Sequence, residues 1–127
     1  PIPSSLGNLK LLQHLSLVYN QLSGPIPPDL GKLEALDHLS LGGNCLTVMN
    51  KVPAPSSTSL TLHKPFQYYQ LKDSGPVPSV LGSLKLLQHL SLSYNQLTGP
   101  IPPELGNLEA LVGLSLGRNR LTGRERG

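Results

Sequence analysis

The sequence predicts an α/β solenoid: a short, right-handed, curved coil with parallel strands on its concave side and mostly irregular or 3-10 segments on its convex side. Two observations predict this architecture. Residues 2–47 can be laid on residues 77–122 at a constant offset of 75, and 35 of the 46 aligned positions are identical. Within each half the pattern also recurs every 24 residues, for example from Leu15 to Leu39. A period of this length is typical of stacked structural repeats.

Each repeat contains a short segment in which leucine alternates with polar residues. In Leu15-Ser16-Leu17 the two leucines point to one face and the serine to the other, which indicates a short strand. The same segment begins again at Leu39, Leu90 and Leu114. Strands that recur in the same direction must run parallel, so each repeat needs a segment that returns the chain.

The returning segment begins with Gly-Pro-Ile-Pro-Pro, as at residues 24–28. Its adjacent prolines restrict φ and lack a backbone donor, which excludes both a ladder strand and the interior of a helix. Leu30, Leu33 and Leu36 follow at a three-residue spacing. This spacing predicts a 3-10 helix or an irregular turn that covers the core from the convex side.

An asparagine follows each strand, where backbone groups lose their strand partners. A carboxamide both donates and accepts hydrogen bonds, so stacked asparagines can satisfy the turns above and below as an internal ladder. Replacing Asn20 by Leu is expected to leave buried backbone groups unpaired and to cost about 1–3 kcal/mol. The ladder predicted from the sequence consists of Asn20, Asn44, Asn95 and Asn119.

Residues 87–108 read LQHLSLSYNQLTGPIPPELGNL, which fits the pattern LxxLxLxxNxLtGxIPxxLGxL. This pattern resembles the plant-type leucine-rich repeat of receptor-like kinase and receptor-like protein ectodomains. Similar repeats occur in large algal leucine-rich-repeat proteins, some of which carry GTPase domains. The resemblance implies a leucine-rich-repeat solenoid. The sequence departs from the ectodomains in having no paired-cysteine caps, and it contains no kinase or GTPase motif.

The pattern divides the chain into four segments. Two repeats occupy residues 1–47, an unpatterned stretch follows at 48–74, two further repeats occupy 75–123, and a basic tail forms 124–127. Two repeats alone bury too little apolar surface to fold, because about three are usually needed. We therefore expect the two halves to stack on each other.

The unpatterned stretch allows three interpretations. It is a looped-out insertion that lets the Leu39 strand pair directly with the Leu90 strand, a degenerate repeat whose strand is Leu60-Thr61-Leu62, or translated non-coding sequence. We favour the insertion because neither Asn nor Leu stands where the motif needs one after Leu62. The surrounding Pro, Ser and Thr favour disorder over a ligand-binding island formed by the aromatic residues Phe66, Tyr68 and Tyr69.

Composition and charge exclude several classes of protein. The net charge of +3 comes from Arg118, Arg120 and the C-terminal tail, which favours a solvated tail over a face that binds nucleic acid. Cys45 is the only cysteine, so no intrachain disulfide can form. No apolar run approaches the ~18 residues of a membrane span, and no Asn-X-Ser/Thr acceptor is present. The sequence begins at Pro1 in mid-repeat, which predicts a fragment of a longer protein.

The outward positions of the predicted strands form columns about 4.8 Å apart on the concave face. Small and polar residues leave room above this face, while tyrosine and arginine are residue types that anchor protein interfaces. We predict that this face binds the ligand. The candidate residues are His14, Ser16, Val18, Tyr19, His38, Ser40, His89, Ser91, Ser93, Tyr94 and Arg118.

Three histidines share one of these columns, and stacked imidazoles could bind a metal ion or become charged together near neutral pH. A closed zinc site needs four ligands, and the adjoining column offers no cysteine or acid, so we predict no metal site. The duplication accounts for the presence of both His14 and His89.

The sequence predicts neither enzymatic activity nor a cofactor. His14 and Ser16 lie on one face but about 6–7 Å apart, beyond hydrogen-bond reach, and no GxSxG motif occurs. Gly31-Lys32 lacks the rest of a phosphate-binding loop. Cys45 is interpreted as a partly exposed free thiol, because no activating base can be identified.

The favoured function is recognition of a protein or peptide in signalling by a rigid, non-catalytic surface, without nucleic acid and without a membrane span in this segment. We expect flanking repeats or domains in the full-length protein. Two alternatives stay open: a structural spacer in a multidomain kinase or GTPase, and a gene fragment without selected activity. The resemblance implies an extracellular or membrane-anchored receptor, whereas the lack of paired cysteines and glycosylation acceptors favours the cytoplasm, so the location stays open.

Overall fold

The computed structural model describes residues 1–47 and 77–123, which form four stacked repeats, here called coils. Each coil contributes one strand to a parallel sheet with the strand order β1-β3-β5-β7. The short strands of the described residues are β1 (His14–Ser16), β2 (Ser23–Gly24), β3 (His38–Ser40), β4 (Cys45–Leu46), β5 (His89–Ser91), β6 (Thr98–Pro100), β7 (Gly113–Ser115) and β8 (Arg120–Thr122).

Equivalent residues of successive coils lie opposite each other across the main sheet. Leu39 of β3 pairs with Leu15 of β1 on one side and with Leu90 of β5 on the other. The two halves of the described chain therefore share one continuous sheet. The predicted strand Leu60-Thr61-Leu62, the basic tail and the aromatic cluster of Phe66, Tyr68 and Tyr69 lie outside the described residues.

The return segments carry 3-10 helices, as the three-residue leucine spacing predicts. Each helix is preceded by a proline in an extended conformation, for example Pro27 at φ −67° and ψ 131°. None of the helices in the described ranges is long and apolar enough to cross a membrane. The predicted solenoid, with short parallel strands and a 3-10 return side, is confirmed. Its helices are Ser4–Asn8, Pro28–Lys32, Ser79–Ser83 and Pro103–Asn107.

The expectation that the Gly-Pro segment forms no ladder strand is wrong at β6. There Gly99 pairs with Leu121 and Pro100 with Thr122 of β8, in a two-stranded parallel sheet. Proline is tolerated because β6 has a described partner on one side only, where Pro100 needs no amide donor. The adjacent strand β8 supplies a donor, since its Arg120 amide donates to the carbonyl of Leu97, the residue before β6, at 2.8 Å.

The core is a stack of leucines enclosed between the main sheet and the 3-10 helices. Leu39 is 0% exposed and Leu90 is 1% exposed, whereas Leu114 in the last described coil is 47% exposed. A coil in a solenoid is covered only by its neighbours, so burial falls towards both ends of the stack.

The asparagines that follow the strands join successive coils. Asn95 Nδ2 donates to the Leu92 carbonyl of its own coil at 3.0 Å and to the Leu41 carbonyl of the preceding coil at 3.1 Å. Its Oδ1 accepts from the Leu46 amide at 3.0 Å. Asn44 and Asn119 make the equivalent bonds to the coil before them. Asn20, in the first described coil, is exposed and donates only within its own turn.

Candidate functional site

The open face of the main sheet holds the histidine and serine columns in register. His14 lies opposite His38, and His38 lies opposite His89. Ser16, Ser40, Ser91 and Ser115 follow the same register one column along. In the serine column the outer members are exposed and the inner members are half-buried, whereas in the histidine column His14 and His89 are exposed and His38 is half-buried.

The three imidazole rings form a continuous stack. The ring centroids of His14 and His38 are 4.6 Å apart and those of His38 and His89 are 4.4 Å apart, with interplanar angles of 24° in both pairs. The stack ends at Gly113, where a Cβ atom would lie 3.0 Å from His89 Cδ2. The short strands therefore hold three basic rings in contact along one line.

Asp37, which directly precedes His38, is the site residue that the sequence analysis missed. Its Oδ1 lies 2.7 Å from His38 Nδ1 and 3.4 Å from His14 Nε2. The hydrogen bond from His38 lowers the pKa of Asp37, against a smaller opposing effect of desolvation. The carboxylate is therefore ionised at neutral pH.

The statement that no acid adjoins the histidine column is thus wrong. The four coils place Gln13, Asp37, Gln88 and Val112 at the position before the histidine column. Only one coil carries an acid there, so an inspection of the repeat consensus does not reveal it. Comparing the residues that directly precede the histidine column in the four coils would have revealed Asp37.

The residue before each ladder asparagine has a left-handed backbone. The φ angles of Tyr19, Tyr94 and Arg118 are 53°, 58° and 57°, and the fourth equivalent position is Gly43 with φ 71°. Non-glycine residues are uncommon in this region. The turn that ends each strand requires this conformation in all four coils, whatever side chain is present.

These turns project large side chains beside the open face. Tyr19 is 78% exposed and Tyr94 is 56% exposed. The guanidinium carbon of Arg118 lies 5.8 Å from the centroid of the Tyr94 ring, within the range of a cation–π interaction. The Tyr19 ring covers Gly43, where a Cβ atom would lie 2.5 Å from Tyr19 Cδ1. Each tyrosine therefore contacts the next coil as well as solvent.

The third column of the face is built from small residues. Val18 and Ser93 are half-buried and are equivalent to Gly42 and Gly117. Gly42 is closely covered by the next coil, since a Cβ atom there would lie 3.0 Å from the Ser93 carbonyl oxygen. The side chains next to the tyrosines are therefore short, and the tyrosines project above them.

Cys45 lies apart from this face. It begins β4 in the small sheet, and its thiol is exposed and free. Among the described residues, no hydrogen bond joins a histidine to a serine or to Cys45. The histidines instead contact Asp37 and one another.

The chain shows repeats of a known family in two segments. Residues 11–33 and 86–108 match the family model described as Leucine Rich Repeat. No curated protein sequence matches the chain.

Several solved structures are similar to this chain. The PEPR1–AtPEP1 complex is 35% identical over 94% of the chain, with a TM-score of 0.71. The leucine-rich-repeat ectodomain of the plant membrane receptor kinase GASSHO1/SCHENGEN3 from Arabidopsis thaliana, in complex with CASPARIAN STRIP INTEGRITY FACTOR 2, is 32% identical over 99%, with a TM-score of 0.75. The BIR3–SERK2 complex from Arabidopsis thaliana is 34% identical over 96%, with a TM-score of 0.71. The chain spans 13%, 12% and 51% of those chains, respectively.

Proposed function

Because this chain belongs to the leucine-rich-repeat family, we propose that it is a non-catalytic scaffold that recognises a protein or peptide through the open face of its main sheet. We further propose that it acts as part of a longer, receptor-like signalling protein. The similar structures named above support both proposals, since they include a receptor-kinase ectodomain bound to a partner.

The observation that carries the proposal is the pair of exposed tyrosines beside the sheet. Tyr19 and Tyr94 occupy equivalent positions and are 78% and 56% exposed. Tyrosine is enriched among the residues that dominate interface energies, because it combines a large apolar area with a hydroxyl group. The turn that holds each tyrosine is tied to the next coil, since the Tyr19 amide donates to the Gly42 carbonyl and the Tyr94 amide to the Gly117 carbonyl, both at 2.9 Å. A partner would therefore meet anchors whose backbone is already ordered.

The arrangement of polar groups supports recognition over catalysis. A nucleophile needs a base within hydrogen-bond reach. In the described part of the chain His14 and His38 contact Asp37, and His89 stacks on His38. Within the same described part, the serines of the face are in a separate column and make no hydrogen bond to these histidines.

Selection from a displayed random-peptide library tests this proposal. We expect peptides to be enriched on the intact chain and to bind the Tyr19→Ala, Tyr94→Ala double variant roughly 30-fold more weakly, because truncating an interface hot spot costs about 2 kcal/mol or more. The matched control is the Leu11→Ala, Leu86→Ala double variant. These leucines are also equivalent residues of the first and third coils, are 89% and 55% exposed, and precede the strands of the main sheet.

The control variant is expected to keep the affinity of the intact chain. Equal loss of affinity in both variants would contradict recognition by the open face. A library that yields no enriched peptide, from chain shown by circular dichroism to be folded, would favour the structural spacer.

A further inference from the structure

Three potential metal ligands meet at the junction of the first two coils. His14, Asp37 and His38 each offer one ligand atom, and these atoms all lie within 4.8 Å of one another. They form the one such group among the described residues. We propose that His14, Asp37 and His38 bind a divalent ion of the late first transition row, with Zn²⁺ as the ion of first choice.

The donor set suits such an ion. Imidazole nitrogen binds Zn²⁺, Cu²⁺ and Ni²⁺, and a carboxylate oxygen completes a common zinc combination. Asp37 supplies one negative charge, while the histidines bind in their neutral form. Three protein ligands leave a fourth tetrahedral position, which in this site is directed to solvent because the side chain of His14 is 63% exposed.

The spacings from Asp37 to the two histidines are within about 0.6 Å of those in a tetrahedral zinc site, and the two histidine nitrogens lie within 4.8 Å of each other. Bond lengths of about 2.0–2.2 Å place neighbouring ligand atoms roughly 3.3–3.5 Å apart. His14 Nε2 and Asp37 Oδ1 are already 3.4 Å apart. His38 Nδ1 and Asp37 Oδ1 are 2.7 Å apart, since a hydrogen bond joins them. The ion takes the place of this shared hydrogen, and the two atoms separate by about 0.6 Å.

Binding also requires one ring to tilt. The His14 and His38 rings are stacked with an interplanar angle of 24°, so their nitrogen lone pairs lie in nearly parallel planes and do not yet converge on one point. His14 can rotate because it lies on the edge strand of the main sheet and its side chain is largely exposed. We expect the ion to open the His14–His38 stack and to leave the His38–His89 stack in place.

The repeat supplies its own control for this site. His89 belongs to the same stack as His38, at a centroid distance of 4.4 Å. The residue before it is Gln88, which is neutral where the second coil has Asp37. If binding of the ion depends on the cluster of His14, Asp37 and His38, His89 is not needed for it. If the ion depends on stacked imidazoles alone, His89 is as important as His14.

Isothermal titration of the metal-free chain with ZnCl₂ tests the proposal. The parent protein for this titration is the Cys45→Ser, His63→Gln variant, which lacks the exposed thiol and the histidine outside the described residues. We expect one equivalent of Zn²⁺ with a micromolar Kd. The single variants His14→Gln, His38→Gln and Asp37→Asn are each expected to weaken binding at least about tenfold, because each removes one of only three protein ligands. His89→Gln is expected to leave the Kd unchanged.

NMR spectra of the imidazole nitrogens provide a second measurement that does not depend on the variants. Zn²⁺ is expected to shift one ring nitrogen of His14 and one of His38, and to leave the His89 nitrogens nearly unchanged. Absence of saturable binding would overturn the proposal. Loss of affinity in His89→Gln equal to that in His14→Gln would overturn it as well, as would an Asp37→Asn variant that binds like the parent.

Discussion

The inner and outer coils of this solenoid share nearly the same sequence and differ in what surrounds them. Leu90 and Leu114 hold the same place in the repeat, yet they are 1% and 47% exposed. Asn95 is 8% exposed and counts as buried, whereas Asn20 is exposed. A repeat pattern specifies the shape of a coil, and the neighbours on both sides supply most of its stability. The contribution of a residue therefore depends on its position in the stack.

The largest expected contrast is between the leucines of the main sheet. Leu90→Ala removes a side chain that is 1% exposed and should lower the free energy of unfolding by about 4 kcal/mol, within the range for buried leucines. Leu114→Ala, at a site 47% exposed, should cost about 1 kcal/mol, because little cavity forms. Urea unfolding followed by circular dichroism measures both values. Equal losses would contradict the difference in burial.

A second contrast concerns the asparagines. Asn95→Leu leaves the buried Leu46 amide without its acceptor, and it removes one of two donors from each of the Leu41 and Leu92 carbonyls, which still accept from Asn44 and Asn119. We therefore expect a loss of about 2 kcal/mol, mostly from the unpaired amide. Asn20→Leu should cost less than about 1 kcal/mol, because the exposed carbonyls that it leaves can bond to water. This value is below the 1–3 kcal/mol range expected from the sequence. Thermal melting of the two variants in parallel tests this contrast. A larger decrease in melting temperature for Asn20→Leu than for Asn95→Leu would contradict it.

The smallest contrast concerns the glycines of the 3-10 helices. A Cβ atom on Gly82 would overlap the Glu104 carbonyl oxygen of the next coil, whereas a Cβ atom on Gly106 meets nothing within 4 Å. Gly82→Ala should therefore cost about 1–3 kcal/mol through overpacking. Gly106→Ala should stabilise the chain by about 0.4–1 kcal/mol, because it restricts the unfolded state. Denaturation midpoints that shift in the same direction would show that the close approach at Gly82 is not decisive.

The sequence predicts well what each coil does by itself. Alternation at Leu15-Ser16-Leu17 predicts a strand, and the spacing of Leu30, Leu33 and Leu36 predicts a 3-10 helix, because both patterns are local. The register of the main sheet also follows, since equal repeats place equal residues side by side. The strand and the helix need no knowledge of the neighbouring coils, and the register needs only that equal coils stack in order.

The sequence predicts the contacts between individual coils less well. The pairing of β6 with β8 depends on an edge that has no second described strand and on an amide from another coil, neither of which the proline-rich segment reveals. The contact of Asp37 with His14 joins residues of two coils, and the other coils have no acid at the equivalent position. A repeat consensus averages over such single departures, and the candidate metal site depends on one of them.

The asparagine bonds give the stack a direction. The side chains of Asn44, Asn95 and Asn119 each donate to a carbonyl of the preceding coil. During synthesis, each new coil therefore completes the hydrogen bonds of the coil before it. Within the described residues the first and last coils are consequently unlike: Asn20 bonds only inside its own turn, whereas Asn119 bonds back to the coil before it. Added repeats would therefore have to be joined in one orientation only.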